Sequence, residues 1–203
     1  RMGVKLYMTP LNYSGIVEVE SIIDGSIINF YDAPRFKVKH TYMTANEKLA
    51  EDGGYVEVAT REKHLHVGCG CRIEAYCDGK QILGNRMTSV FGEQNIEFGD
   101  IHVEEGKEVQ IVKYVSMYSE RECPTYELHS TIKKEIEGFV HTGFESELKL
   151  HEEVYHNMWE NADIKITGDD DLNRAVRFNI FHLMSTGNEH DDHVNVGAKL
   201  LTG

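Results

Sequence analysis

The apolar residues of this chain change period once. Up to about residue 118 they alternate with polar residues, the spacing of strands buried on one face; from about residue 124 they recur every three or four positions, the spacing of one helix face. Ile16-Val17-Glu18-Val19-Glu20-Ser21 is typical of the first part, and strands are predicted at Val4–Met8, Ile16–Ser21, Ile27–Asn29, Phe36–Tyr42, Tyr55–Thr60, His64–Tyr76, Met87–Phe98 and Val109–Ser116. Asp24-Gly25, Asp52-Gly53-Gly54, Asp78-Gly79, Gly99-Asp100 and Glu105-Gly106 punctuate them as turns. Short strands without intervening helices predict an antiparallel β-sandwich, so the fold class is mainly β with C-terminal helices.

In the second part, Pro124 suits a first helical turn. Tyr126, His129, Ile132, Ile136, Phe139 and Val140 line one face of a helix over about 124–142, and Gly143 ends it. A second helix over about 144–161 carries the stripe Phe144, Leu148, His151, Tyr155, Met158 and Trp159, with His151 expected as a satisfied core histidine. A third begins at Asp169–Asp171, whose carboxylates favour a helix N-terminus. Its Leu172, Ala175, Val176, Phe178, Ile180, Phe181, Leu183 and Met184 cover most of its circumference, which predicts burial inside a larger assembly. Three segments follow: a sandwich over 1–118, a helical linker over 119–167, and a third helix with its loop over 168–203.

With 203 residues the chain can bury a substantial core. Its formal net charge of −13 repels phosphate backbones and anionic bilayers, so neither nucleic acid nor membrane is expected as a partner. No apolar run approaches the roughly 20 residues of a membrane span, and no secretory apolar region opens the chain, which enters a strand pattern at once, as if cut from something longer. The four cysteines, Cys69, Cys71, Cys77 and Cys123, are too few and too crowded for a disulfide framework, pointing to a reducing, cytoplasmic compartment.

Few residues suggest chemistry. His64-Leu65-His66 followed by Cys69-Gly70-Cys71 places potential ligands on alternate strand positions, where each pair shares a face. The cysteine spacing is not that of a zinc ribbon or finger, and buried apolar behaviour is the commoner role of such cysteines. His129, His141, His151, His156, His182, His190 and His193 form a looser set; His190-Asp191-Asp192-His193 reads as a solvated loop with some capacity for a divalent ion. Asp169, Asp170 and Asp171 read as capping rather than as an acid/base pair. No nucleophile elbow, phosphate loop or dinucleotide fingerprint occurs. The residues assign no catalytic, substrate-binding, cofactor-binding or metal-binding position.

The order Gly143-Phe144, Leu148, His151, Trp159, Ala162-Asp163-Ile164 and Gly168-Asp169 resembles that of the glycoside hydrolase family 65 disaccharide phosphorylases. Arg177-Phe178-Asn179-Ile180-Phe181-His182-Leu183 is the more specific match, completed by Asn195-Val196-Gly197-Ala198-Lys199 and Leu201-Thr202-Gly203. Ile23-Asp24-Gly25 with Asn29, and Glu105-Gly106-Lys107 with Lys113, resemble the family's sandwich. Tyr155 stands where the family often has tryptophan, and Leu200 where it often has glycine. Asn188, Asp191 and Asn195–Lys199 resemble the kojibiose and trehalose phosphorylase branches more than the maltose branch.

The resemblance implies a galactose-mutarotase-like super-sandwich, here partial and without its early strands, then linker helices and the first helix of a truncated (α/α)6 barrel. It implies a full-length enzyme that cleaves an α-linked glucose disaccharide with inorganic phosphate as co-substrate and no other cofactor, inverting the anomeric centre to give β-glucose 1-phosphate. The general acid, the sugar-binding stretch and the phosphate-binding residues are expected beyond Gly203, so this chain is expected to be a non-catalytic part. The missing barrel would leave apolar helix faces that drive homo-oligomerisation. The competing reading is a stand-alone carbohydrate-binding or assembly sandwich, with Tyr31, Tyr42, Tyr55, Tyr76 and Tyr118 as available aromatics.

Overall fold

A computed structural model of the chain describes residues 1–30, 37–50 and 52–186. The chain divides into two compact units, Arg1–Phe144 and Glu145–Gly203.

The first unit holds strands β1 (Met2–Met8), β2 (Gly15–Asp24), β3 (Asn29–Phe30), β4 (Lys37–Val38), β5 (Thr41–Lys48), β6 (Gly54–Thr60), β7 (His66–Cys77), β8 (Lys80–Gln81), β9 (Gly84–Phe91), β10 (Gln94–Val103) and β11 (Val109–Ser119), then a 3₁₀ turn (Thr125–Glu127) and helix α1 (Leu128–Thr142). Six strands form one sheet in the order β1-β11-β7-β6-β5, with β8 on β7; three form a second in the order β2-β10-β9; β3 and β4 pair separately. The pairings are antiparallel. This is the sandwich with C-terminal helices that the apolar periods lead one to expect.

Strand alternation decides which side chains fill it. Ile73, Ala75, Ile101, Val103 and Val109 are buried together between the sheets, with Val17, Val19 and Met8 packed against them. The opposite face of the larger sheet is covered by α1. Leu128, Ile132, Ile136 and Phe139 recur at helical spacing and are at most 3% exposed, and burying each contributes roughly 1.5–3 kcal/mol as an upper bound. Phe139 meets Tyr114 of β11 edge to face at 4.8 Å. Gly143, at φ 84°, ends α1 and its N–H donates to the Phe139 carbonyl.

β7 makes that docking possible because it carries glycine beneath the helix. A Cβ on Gly70 would lie 2.5 Å from Ile132 Cγ2, and one on Gly68 would lie 2.8 Å from Ile132 Cδ1. On the other face of the same strand, Cys71, Ile73 and Ala75 are buried. The sequence Gly68-Cys69-Gly70-Cys71 therefore alternates contact with a helix and contact with a sheet.

Four expectations need correction. The strand expected at Ile27–Asn29 begins only at Asn29, as β3. Met87–Phe98 is not one strand but the two arms of a hairpin, β9 and β10, turning at Gly92 with φ 59°. Gly99-Asp100 is not a turn; it lies inside β10, where the ladder shifts register between Phe98 and Asp100. β5 runs to Lys48, well past the expected end at Tyr42, although Ala45-Asn46-Glu47-Lys48 lacks the usual strand formers; cross-strand pairing with β6 overrides propensity there. Part of the expected strand from Phe36 lies outside the described residues.

The second unit contains helix α3 (Asp170–Thr186) and most of α2 (Phe144–Ala162). Asp169 Oδ1 accepts the Leu172 N–H at 2.9 Å, so the acidic run does cap α3. Neither helix has a buried residue among those described. His151 is accordingly exposed rather than a core histidine, its ring 4.6 Å from that of Tyr155.

The glycine stripe yields a direct test. Gly70→Ala should lower stability by about 1–3 kcal/mol through overpacking against Ile132, read from the denaturant midpoint. In an Ile132→Ala background the same change should cost less, because the Cγ2 that the new methyl meets is gone. Equal losses with and without Ile132→Ala would show that the two residues do not oppose one another.

Candidate functional site

The most heavily charged interior position lies where β7 loses a neighbour. β6 pairs with β7 only from Gly54 opposite Cys71 onward, and β8 takes over at Tyr76. Between them the Ile73 backbone faces an open edge, and two side chains of the smaller sheet close it. Ile73 N–H donates to Glu97 Oε2 at 3.0 Å, and the Ile73 carbonyl accepts from Arg86 Nη2. Arg86 Nη1 also lies 3.3 Å from Glu74 Oε1 and 3.3 Å from Asp52 Oδ2, and Arg72 Nε donates to Glu74 Oε1 at 2.7 Å. Burial pushes the Glu97 carboxyl up to about 7, with the Arg86 guanidinium opposing that rise. A raised carboxyl beside a second carboxylate has the chemistry of an acid/base pair. Glu97 and Glu74 are only 1% and 3% exposed, however, so no substrate reaches them here.

The residues singled out from the sequence go to separate partners. His64 sits in a turn at φ 54°, off the strand alternation, and its Nδ1 lies 3.0 Å from the Tyr42 hydroxyl. It therefore does not share a face with His66 as expected. His66 Nδ1 lies 2.7 Å from Glu57 Oε1, while Tyr55 and Thr44 hydroxyls donate to the same carboxylate at 2.6 and 2.9 Å. Burial alone would raise Glu57, but these hydrogen bonds outweigh it and hold the carboxyl below its ordinary value. Burial pushes Cys69 up to about 11 and raises Cys71, favouring the thiol form of both. Among the described residues no three of His, Cys, Asp and Glu are grouped to hold a metal.

His129 Nε2 meets the Lys48 carbonyl at 3.0 Å, with its ring 4.7 Å from that of Tyr55. His141 is exposed on α1, His156 lies 3.4 Å from Glu160, and the His182 ring lies 4.3 Å from Phe178. His190 and His193 lie outside the described residues, as do Asp191, Asp192 and Tyr31. Of the candidate aromatics, Tyr55 is fully buried and Tyr42, Tyr76 and Tyr118 are half-buried. The Glu57, Tyr55 and His66 cluster was not visible in the sequence, because it depends on the β6–β7 register.

In the second unit a shallow groove is lined by Trp159, Asp170, Asn173, Arg174, Arg177 and Phe178. An indole face can stack on a sugar ring, but the Arg177 guanidinium lies 5.1 Å over Trp159 and its Nε lies 3.0 Å from Asp163 Oδ1. The indole is already engaged by the protein itself.

A sandwich closed by one helix and followed by exposed amphipathic helices, its buried charges engaged in structural pairs, belongs to the class of all-β domains that adjoin helical segments. Residues 1–158 match the N-terminal domain of glycosyl hydrolase family 65, and the chain belongs to that family. It is 39% identical to a kojibiose phosphorylase of Thermoanaerobacter brockii over 207 aligned residues, covering 100% of this chain and 27% of that protein. It is 28% identical to an alpha,alpha-trehalose phosphorylase of the same organism, covering 99% of this chain and 26% of the relative. A solved structure of a putative kojibiose phosphorylase from the human microbiome superposes with a TM-score of 0.80 over 99% of this chain and 25% of that one; at 15% identity it shows a shared fold. The chain thus spans about a quarter of the length of the relatives it matches. No described helix is long and apolar enough to cross a membrane.

The raised Glu97 carboxyl has a pH signature. Between the ordinary carboxylate range and about 7, the folded state holds a proton that the unfolded chain has released, so this group's contribution to stability falls as pH rises through that window. Glu97→Gln removes that dependence while keeping an acceptor for Ile73 N–H. The melting temperature of the variant relative to the parent should rise between pH 5 and 8, measured in low-salt buffer; a difference constant with pH would exclude a raised Glu97.

Proposed function

We propose that this chain is the non-catalytic N-terminal part of an inverting phosphorylase that cleaves α-linked glucose disaccharides. The observation that carries the reading is an alignment over the whole chain, at 39% identity, with about a quarter of a kojibiose phosphorylase. In the division that follows, residues 1–118 belong to the sandwich, 119–167 to the helical linker and 168–203 to the start of an (α/α)6 barrel. The full-length protein would bind the disaccharide and inorganic phosphate in a reducing, cytoplasmic setting, consistent with the four free cysteines.

The chemistry is a single displacement. A carboxylic acid protonates the glycosidic oxygen as its bond to C1 breaks, and a phosphate oxygen bonds C1 from the opposite face. The products are β-glucose 1-phosphate and the free second sugar. Phosphate, already an anionic nucleophile, replaces the base-activated water of an inverting hydrolase. Of the interior carboxylates, Glu97 and Glu74 are buried, and Glu57 is engaged by Tyr55, Thr44 and His66.

The full-length enzyme should release β-glucose 1-phosphate from kojibiose or trehalose with inorganic phosphate, and the 203-residue chain should release none. Phosphorolysis by the chain alone would refute the non-catalytic assignment, while saturable kojibiose or trehalose binding to it by calorimetry would favour a sugar-binding module instead.

Oligomerisation follows from the exposed helix faces. Phe178, Phe181 and Leu183 on α3 are 62, 42 and 59% exposed. The isolated chain should show at least a dimeric mass by light scattering, and Phe178→Ser with Phe181→Ser should shift it toward monomer. A monomeric mass for the parent chain at high concentration would overturn this expectation.

A further inference from the structure

Asp-Gly occurs three times in the chain, at Asp24-Gly25, Asp52-Gly53 and Asp78-Gly79, each time beside the end of a strand. Glycine has no side chain to keep its amide nitrogen away from the carboxyl of the residue before it, so each pair has the same inherent reactivity. The fold treats the three differently. At Asp24 both carboxylate oxygens are held: Oδ1 accepts the Ser26 hydroxyl at 2.5 Å and the Ser26 N–H at 2.8 Å, and Oδ2 accepts Gln94 Nε2 at 2.9 Å. These bonds, that of the Ser26 hydroxyl foremost, hold the carboxyl below its ordinary value. The Gly25 N–H is itself committed to the Glu93 carbonyl at 2.9 Å. Asp52 Oδ2 lies 3.3 Å from Arg86 Nη1 and 3.8 Å from Arg72 Nη2. Gly53 beside it is buried, where an added Cβ would stand 2.5 Å from the Cys71 carbonyl oxygen. Neither carboxyl swings onto the next nitrogen without breaking these contacts.

Asp78-Gly79 is the two-residue turn of the β7–β8 hairpin, set between the paired Cys77 and Lys80. Both residues have positive φ, 49° at Asp78 and 74° at Gly79. Glycine adopts that region without penalty, whereas Asp78 holds it against steric opposition from its own Cβ. Both residues are exposed, and a Cβ added to Gly79 would meet nothing within 4 Å. Among the described residues no hydrogen bond or ion pair engages the Asp78 carboxylate.

We propose that Asp78 is a site of spontaneous isoaspartate formation, the one Asp-Gly pair of the three that the folded protein leaves reactive. Gly79 N bonds Asp78 Cγ, and the amide proton leaves with the carboxyl hydroxyl as water, closing a five-membered succinimide. Water then adds to one of its two carbonyls. Addition at Cγ breaks the new bond and restores aspartate. Addition at the Asp78 carbonyl carbon breaks the old peptide bond, routes the backbone through the side chain and leaves the α-carboxylate free. One water leaves and one returns, with no change of oxidation state. The isoaspartyl form lengthens the turn by one backbone atom, out of step with the Cys77–Lys80 pair. The residues that follow tie the edge to the core: Gln81 Nε2 donates to the Leu83 carbonyl at 3.2 Å, Ile82 N–H donates to the Ala75 carbonyl at 2.8 Å, and Leu83 is buried. The modification therefore loosens the β8 edge as well as the tip. The exposed α-carboxylate is the chemistry recognised by isoaspartyl carboxyl methyltransferases, which place the methyl group of S-adenosylmethionine on that oxygen.

Peptide mapping after prolonged incubation in mildly acidic buffer, where the neutral carboxyl that loses water is populated, tests this. In the folded protein isoaspartate should accumulate at Asp78 and stay at least ~10-fold lower at Asp24 and Asp52, whose contacts open only with the surrounding structure. In concentrated urea the three sites should convert at comparable rates, since the fold alone separates them. A purified isoaspartyl methyltransferase with radiolabelled S-adenosylmethionine should label the peptide that bears Asp78. Asp78→Glu, which would have to close a six-membered ring, should leave that peptide unlabelled. The melting temperature of the parent should fall as the isoaspartyl fraction grows, while that of Asp78→Glu stays constant. Conversion of Asp24 or Asp52 as fast as Asp78 in the folded protein would overturn the assignment. So would an unmodified Asp78 in the folded protein when the urea-unfolded chain converts. An unchanged melting temperature in protein carrying the isoaspartate would overturn the loosening of the β8 edge.

Discussion

The structure depends on how the edge of β7 is closed at Ile73. A buried amide left without a partner costs about 1–3 kcal/mol, and β6 has already turned away at that point. Glu97 and Arg86 satisfy the N–H and the carbonyl from the opposing sheet. Because one comes from β10 and the other from β9, the smaller sheet is held to a single register over the larger one. Burying Glu97 is unfavourable, as its raised carboxyl shows, and Arg86 offsets that only in part. An apolar pair of the same volume would pack between the sheets but would leave the Ile73 backbone unbonded, so an acceptor and a donor are needed there for geometric reasons.

The same strand carries the second constraint. Gly68 and Gly70 admit Ile132 of α1 on one face while Cys71, Ile73 and Ala75 meet the smaller sheet on the other. β7 is therefore fixed from both sides. The Glu57, Tyr55, Thr44 and His66 cluster is likewise closed on itself. The interior polar groups of the domain are thus committed to holding its strands together.

Much of this was legible in the sequence wherever the signal is local. The change of apolar period separated sandwich from helices, Gly143 ended α1, and Asp169 capped α3, each because one or a few neighbouring residues decide the outcome. What escaped depends on pairing between distant residues. β5 was cut short because its second half has weak strand propensity and is held by β6. β9 and β10 were merged because Phe91-Gly92-Glu93-Gln94 is a quiet turn signal. Glu57 and His66 were not linked, nor Glu97 and Ile73, because register is invisible until the ladder is known. The His64–His66 pairing failed for a local reason: a positive φ at His64 removes it from the alternation that would have placed it beside His66.

Two kinds of exposed apolar surface remain, and they differ in what can satisfy them. Val4 and Leu6 stand on a strand whose backbone is bonded to β11, opposite Lys113 and Ile111. The α2 and α3 side chains, including Val154, Phe178 and Leu183, stand on helices whose backbone bonds are satisfied internally, so any apolar surface of suitable shape can cover them. Association through the helices is therefore permissive. A net charge of −13 opposes such association at low ionic strength, since a second copy brings the same excess of carboxylates.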